Sequence, residues 1–369
     1  MPQILNNPTL FIGLMSGTSL DGVDAALVDF QREDPVLKGF LTYPYPTSLR
    51  QQLDDLNQDP NLALSTLCQL EYEVANQFSQ AACALLEVTQ TQPSQVRAIG
   101  SHGQTIHHAP AIPMSLQIGH PAFIAKHTGI CTVADFRVDD LAHQGQGAPL
   151  APAFHRVLFQ SSQPVVIINI GGIANLTYLD GQEVIGFDSG PGNGLMDSYC
   201  QTTLAQAYDK SGALAAKGQV IPELLSRWLS DPYFKKPAPK STGKEYFNAI
   251  WLQKNTHNLT TYTVEDLLST LAQLTVETLL MALTQLPKQP QAIWVCGGGA
   301  ENQTLIQRLQ KHLPYPVQST QIQSINPHAI EAMMCAWLAK ERLENRPIAL
   351  TSITGANKNS ILGGVWSPI

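Results

Sequence analysis

Two strand–glycine turn–strand units, about 155 residues apart, constrain the fold of this 369-residue chain more than any other feature. The first runs from 10–15 (LFIGLM) through a Gly/Ser/Thr turn into 22–30 (GVDAALVDF), where Val23, Ala25 and Leu27 alternate with polar neighbours. The second begins at 165 (VVIINIGGIANLTYLD), turns at Gly171 and Gly172, and returns along another alternating strand. This self-similarity points to two related halves. A chain of 369 residues also exceeds the size at which one hydrophobic core keeps growing. The turn residues QSSQP at 160–164 set the boundary, giving lobes 1–162 and 163–369, with the C-terminal segment free to pack back on the first.

Apolar runs alternate with amphipathic stretches elsewhere, the pattern of an α/β protein. Residues 62–90 carry Leu67, Leu70, Val74, Phe78, Ala82 and Leu85 at helical steps. Further helical patterns cover 193–207, 219–230, 264–286, 302–313 and 327–343, and 292–296 reads as a strand. The stretch 235–244 (KKPAPKSTGK) is a surface loop by composition. A net charge of −7 gives no basic footprint for nucleic acid or an anionic membrane. The six cysteines are scattered without a C-x-x-C pair, as in a reduced cytosolic protein. The start, MPQILNNPTLFIG, lacks a signal-peptide pattern, and no run approaches the roughly 18 apolar residues of a membrane span. The expected location is the cytoplasm.

The first turn lies in GLMSGTSLDGVD (13–24). Gly17 lets backbone N–H groups face outward, Ser16, Thr18 and Ser19 add hydroxyls, and Asp21 and Asp24 add carboxylates. Backbone N–H groups at such a turn form a concave anion site, and neighbouring carboxylates suit Mg²⁺. An ordinary hairpin with polar turn residues accounts for the segment equally well when it is taken alone. No G-x-x-x-x-G-K-[ST] loop occurs. Gly171 and Gly172, with Asn175 and Thr177, make a second candidate phosphate grip. Gly297, Gly298 and Gly299, between a strand and a helix, make a third turn where a base or ribose can approach the backbone. Its alternatives are a tight structural turn or a Rossmann site, and the full G-x-G-x-x-G is missing. Three such turns in this order fit two lobes closing on ATP.

In IGFDSGPGNGLMD (185–197), Asp188 ends a short strand before a helix that begins near Gly194. Donors at the helix start favour its ionised form, as a general base requires. An Asx cap of the following turn is the competing reading. His102, His107 and His108 lie in GSHGQTIHHAP, without the spacing of a zinc site. Arg137, after the strand-like ICTVADF, can reach an anionic group or pair with Asp139 or Asp140. Glu331 is either a solvated charge or an inward contact on an apolar helix.

Ten ordered segments resemble the anhydro-N-acetylmuramic acid kinase family over essentially the whole chain. They are GLMSGTSLDGVD, GSHGQTIHHAP, LQIG, DFRVDD, GQGAPLAPAFH, NIGGIANLT, GFDSGPGN, PAPKSTGKEYFN, VCGGG and TGA. The resemblance implies a two-lobed actin-like ATPase fold of the acetate and sugar kinase/Hsp70/actin type, with the nucleotide in the interdomain cleft. It implies a cytoplasmic homodimer in peptidoglycan recycling. Its reaction would use ATP, Mg²⁺ and water to convert 1,6-anhydro-N-acetylmuramic acid to N-acetylmuramic acid 6-phosphate. Gly17, Thr18, Ser19, Leu20, Asp21, Gly22, Val23 and Asp24 would bind ATP together with Gly171, Gly172, Gly297, Gly298 and Gly299. Asp188 would be the base, and Arg137, Glu331 and His102 would contact the amino sugar. Relatives of the fold commonly place a metal-linked Asp before the first turn. Here Leu14 and Met15 stand there, so Mg²⁺ falls to Asp21 or Asp24. Another sugar or carboxylate kinase, or an actin/Hsp70-like ATPase without kinase activity, shares the same turns.

Overall fold

The computed structural model describes residues 8–17, 20–32, 34–58, 61–109, 111–159, 161–243, 246–256 and 259–369. The side chains of 57, 58 and 260 fall outside that description, as do Thr18 and Ser19 of the first turn and Lys244 and Glu245. In chain order the elements are β1 (Leu10–Ser16), β2 (Gly22–Asp29), β3 (Val36–Pro44), α1 (Thr47–Gln58), α2 (Leu64–Val88), β4 (Val96–Ala109), β5 (Met114–Ile118) and α3 (Pro121–Thr128). Next come β6 (Thr132–Ala134), α4 (Val138–Ala142), α5 (Ala151–Leu158), β7 (Val165–Ile170), β8 (Ile173–Asp180), β9 (Glu183–Pro191) and α6 (Gly194–Leu204). The chain continues with α7 (Pro222–Leu229), α8 (Ala249–Asn255), α9 (Val264–Leu283), β10 (Ala292–Cys296), α10 (Gln303–His312), β11 (Val317–Ser319), α11 (Ile330–Leu343) and β12 (Gly364–Trp366).

The chain forms two compact units, Met1–Leu158 with Ala329–Ile369, and Phe159–His328. The first crossing lies at 158/159, beside the 162/163 boundary drawn from the turn residues, and the C-terminal segment 329–369 belongs to the first unit. Contacts distant in sequence hold this tail. Asp139 accepts the Gly363 N–H at 2.7 Å, and buried Asp140 accepts from the Thr354 hydroxyl at 2.7 Å and the Gly147 N–H at 2.7 Å. Burial pushes the Asp140 carboxyl up, and the bonds from Thr354 and Gly147 pull it back.

The two sheets share one topology. In unit 1 the order is β12-β6-β4-β1-β2-β3, with β5 pairing β4, and in unit 2 it is β11-β10-β7-β8-β9. Each has a three-strand antiparallel meander (β1–β2–β3, β7–β8–β9) extended by parallel strands (β4 and β6, β10 and β11). The repeated glycine hairpins are thus the first two strands of a repeated sheet.

Each sheet buries one strand face under helices, as period-two patterning demands. Ile12, Leu14, Val23, Ala25 and Leu27 pack with Leu70, Val74, Phe78 and Leu85 of α2. In unit 2, Val166, Ile168 and Ile170 pack against α9, which buries twelve side chains. The Thr263 hydroxyl caps α9 by accepting the Asp266 N–H at 3.1 Å, with Glu265 and Asp266 in the first turn. On the opposite face of the first sheet α11 lies directly on backbone. A Cβ at Gly13 would overlap the Ala332 carbonyl, and one at Gly100 the Cys335 carbonyl.

Candidate active site

In unit 1 the β1–β2 turn is pinned from a distance. The Ser16 hydroxyl donates to the Gly22 carbonyl at 2.8 Å and sits 2.6 Å from Gln104 Oε1 on β4. Gln104 Nε2 in turn donates to the Gly17 carbonyl at 3.4 Å. The carbonyls around the turn are therefore occupied, which suits a turn that offers N–H groups to an anion. Leu20 (left-handed, φ 57°) and Val23 are buried in the core, so they anchor the turn and reach a ligand only through backbone. Asp21 pairs at the surface with Arg50 at 3.3 Å, and Asp24 accepts from the Thr42 hydroxyl at 2.5 Å. Among the described residues no three His, Cys, Asp or Glu side chains converge to hold a metal. The two carboxylates thus do not form a metal cage. The donor set fits Mg²⁺ only as an ion carried by phosphate oxygens and water, the usual mode for this metal.

A second cluster in unit 1 joins residues that are far apart in sequence. His102, fully buried on β4, accepts from Arg137 Nε at 3.0 Å through Nε2, while Nδ1 lies 3.0 Å from the Gly103 carbonyl. Both ring nitrogens are used, so His102 orients Arg137. Asp139 and Asp140 serve the C-terminal tail, and the Arg137 Nε bond goes to His102. Arg137 and Glu331, in the first turn of α11, both act on the Cys335 thiol, whose titration burial drives up first.

Burial, aided by Arg137, drives the His102 pKa down to about 3, and burial alone does the same to His155 on α5. Both stay neutral when folded, whereas the unfolded chain takes up protons below about 6.5. Their stabilisation is complete above that value and is lost as pH falls toward 3. Melting temperature should therefore decline between pH 6.5 and 5, and the decline should be shallower in His155→Gln. An equal slope in the variant would contradict this assignment.

In unit 2 the Gly171–Gly172 turn is locked to the start of α6. The N–H groups of Gly192, Asn193 and Gly194 donate to the carbonyls of Gly172, Gly171 and Gly172 at 3.0, 2.7 and 3.1 Å. These amides, at and just before the start of α6, hold the hairpin turn, which removes them as donors to Asp188. Beside the turn, Asn169, Asn175 and Asp188 form a row across three strands, since Asn169 pairs with Asn175 and Asn175 with Asp188. The row lies on the face away from the helical core, and the buried Asn175 Oδ1 has no hydrogen-bond partner among the described residues. Asn175 thus stands opposite Asp188 in the strand register.

Asp188 is 8% exposed inside β9, which runs on through Ser189 and Gly190 to Pro191, past the strand end expected at Asp188. Its Oδ2 accepts the Thr242 N–H at 2.9 Å, its N–H donates to the Lys240 carbonyl at 3.1 Å, and its carbonyl accepts the Tyr233 hydroxyl at 2.8 Å. The 240–242 segment is thus the seat of Asp188. Composition gave it as surface loop, yet Lys240 is buried. The missed signal was the aromatic run Tyr233, Phe234, Tyr246, Phe247 and Trp251, which stacks around it.

The third turn divides its glycines by job. A Cβ at Gly297 would overlap Asn169 Oδ1 and one at Gly299 would overlap Ile170, so both permit close packing on β7. At Gly298 the nearest atom, Asn193 Nδ2, would be 3.8 Å away, and the residue is exposed. This bare backbone surface fits a flat ligand. Gly298→Val should raise the KM for ATP severalfold while leaving melting temperature unchanged; an unchanged KM would remove the turn from the nucleotide site.

Residues 9–368 match the family described as anhydro-N-acetylmuramic acid kinase. The anhydro-N-acetylmuramic acid kinase of Hydrogenovibrio crunogenus is 58% identical over 99% of this chain and 100% of its own length. Those of Saccharophagus degradans and Vibrio cholerae are 45% and 44% identical, over 98% and 97% of this chain and 100% and 98% of their own lengths. Among solved structures, the activator of 2-hydroxyisocaproyl-CoA dehydratase from Clostridium difficile with bound ADPNP aligns with a TM-score of 0.47 at 9% identity, covering 91% of this chain and 96% of its own. A glucokinase from Streptomyces griseus in complex with glucose and AMPPNP aligns at 0.40 and 14%, covering 90% and 99%. With matches of this extent and identity, the chain belongs to the anhydro-N-acetylmuramic acid kinase family and is a phosphotransferase.

Proposed function

We propose that this enzyme uses ATP and water to open the 1,6-anhydro bridge of 1,6-anhydro-N-acetylmuramic acid and to phosphorylate O6, giving N-acetylmuramic acid 6-phosphate and ADP. The observation that carries the reading is the buried Asp188, fixed at backbone and carboxylate beside the acceptor atom of Asn175. The acceptor O6 is not a free hydroxyl, because the bridge ties it to C1. Asp188 takes a proton from water as the water oxygen bonds to C1. The C1–O6 bond breaks, and O6 bonds to the γ-phosphorus as ADP leaves. Asn175 Oδ1 accepts the second water hydrogen and so orients the attack.

The glycine turns serve the nucleotide: the Gly17–Asp24 and Gly171–Gly172 turns for phosphates, Gly297–Gly299 for adenosine. Mg²⁺, bound with the nucleotide, supplies charge neutralisation at the transferring phosphoryl group. Arg137, held by His102, matches the lactyl carboxylate with its planar fork, and Glu331 takes a sugar hydroxyl or amide. The family resemblance extends the reading to a cytoplasmic homodimer. The assay is ADP release with ATP, Mg²⁺ and the anhydro sugar, against glucose and acetate controls. Release no faster than in the controls would overturn the substrate assignment.

A further inference from the structure

Lys240 is 6% exposed, although its segment reads as solvated loop. Its ammonium lies 5.0 Å from the Tyr233 ring centre and 5.8 Å from that of Phe187, with the Phe234 carbonyl 3.5 Å away. A buried ammonium so weakly bonded is costly unless an opposite charge shares its surroundings. We propose that Lys240 is a positioning residue for Asp188: its charge holds the Asp188 carboxylate in the ionised form, while the 240–242 backbone fixes its direction. The inference rests on the reading of Asp188 as base.

Three connections support it. Lys240 and Thr242 hold Asp188 from both ends, through the Asp188 N–H and through Oδ2. Tyr233 joins the two residues, since its hydroxyl donates to the Asp188 carbonyl while its ring faces the ammonium. Burial lowers the Lys240 pKa, and Asp188 is the group that raises it again, with Lys236 opposing. Other charges are placed differently. Asp231 accepts from the Tyr246 hydroxyl at 2.9 Å and the Trp251 indole at 2.8 Å, and α9 brings the uncharged Thr275 and Thr278 to the end of β9, Thr275 donating to the Pro191 and Gly192 carbonyls at 3.1 and 3.0 Å. Lys244 and Glu245 lie outside the described residues.

The test is the pH dependence of kcat/KM in Lys240→Met, Lys240→Gln and Lys240→Arg, with melting temperature recorded for each. Removal of a positive charge makes Asp188 harder to ionise. The acidic limb should move to higher pH by about one unit in both neutral variants, and Lys240→Arg should restore it. An unmoved limb in a folded neutral variant would overturn the inference and leave the base reading intact. Loss of the folded state in both neutral variants would make Lys240 structural and overturn it as well. Normal turnover by Asp188→Asn would instead defeat the base reading itself.

Discussion

Asp188→Asn should lower kcat by about 10²- to 10⁴-fold, the range for losing a positioned general base, with ATP affinity and melting temperature nearly unchanged. Asparagine keeps the shape and can still accept the Thr242 N–H through its carbonyl, so this part of β9 stays in place. What it loses is the negative charge and the capacity to take a proton. Single-turnover ADP formation reads the first effect, and nucleotide titration reads the second. A large loss of ATP binding together with kcat would show that Asp188 serves the nucleotide, not the water.

The second large effect concerns the fold. Gly13→Ala and Gly100→Ala each place a methyl group inside a backbone carbonyl of α11, at Ala332 and Cys335. Neither contact is a flexible side-chain tip, so the whole helix must lift. Overpacking of this kind costs about 1–3 kcal/mol. Glu331 lies in the first turn of α11, so under the sugar-contact role proposed for it, sugar affinity should fall along with stability. The check is chemical denaturation paired with KM for the sugar. Loss of stability with an unchanged KM would separate α11 from the sugar site.

The strands of both hairpins, α2, α9, β10 and α10 were legible because local periodicity specifies them. The Gly297–Gly299 junction was legible because turn residues gather where a strand gives way to a helix, whereas β9 runs on to Pro191, past the end expected at Asp188. What could not be read depends on partners distant in sequence. Gln104 meets Ser16 across 88 positions, and Thr354 meets Asp140 across 214. No local pattern encodes such pairings, and they give the residue at which the C-terminal segment, left free to pack back, rejoins the first unit. Lys240 was missed for a related reason. Pro, Lys and Ser nearby predict solvent, but the aromatic layer that covers the segment comes from residues on either side of it. His102 shows the opposite case. Its candidacy was evident, but its partner Arg137 stands 35 positions away and only the fold brings the two together.

The most direct measurement runs the reaction in ¹⁸O-labelled water with ATP, Mg²⁺ and 1,6-anhydro-N-acetylmuramic acid, with products analysed by mass spectrometry before slow anomeric exchange. Attack by water at C1 predicts one label at C1, none in the transferred phosphoryl group, and ADP formed in step with the sugar phosphate. Product without label at C1, or label in the phosphoryl group, would contradict it.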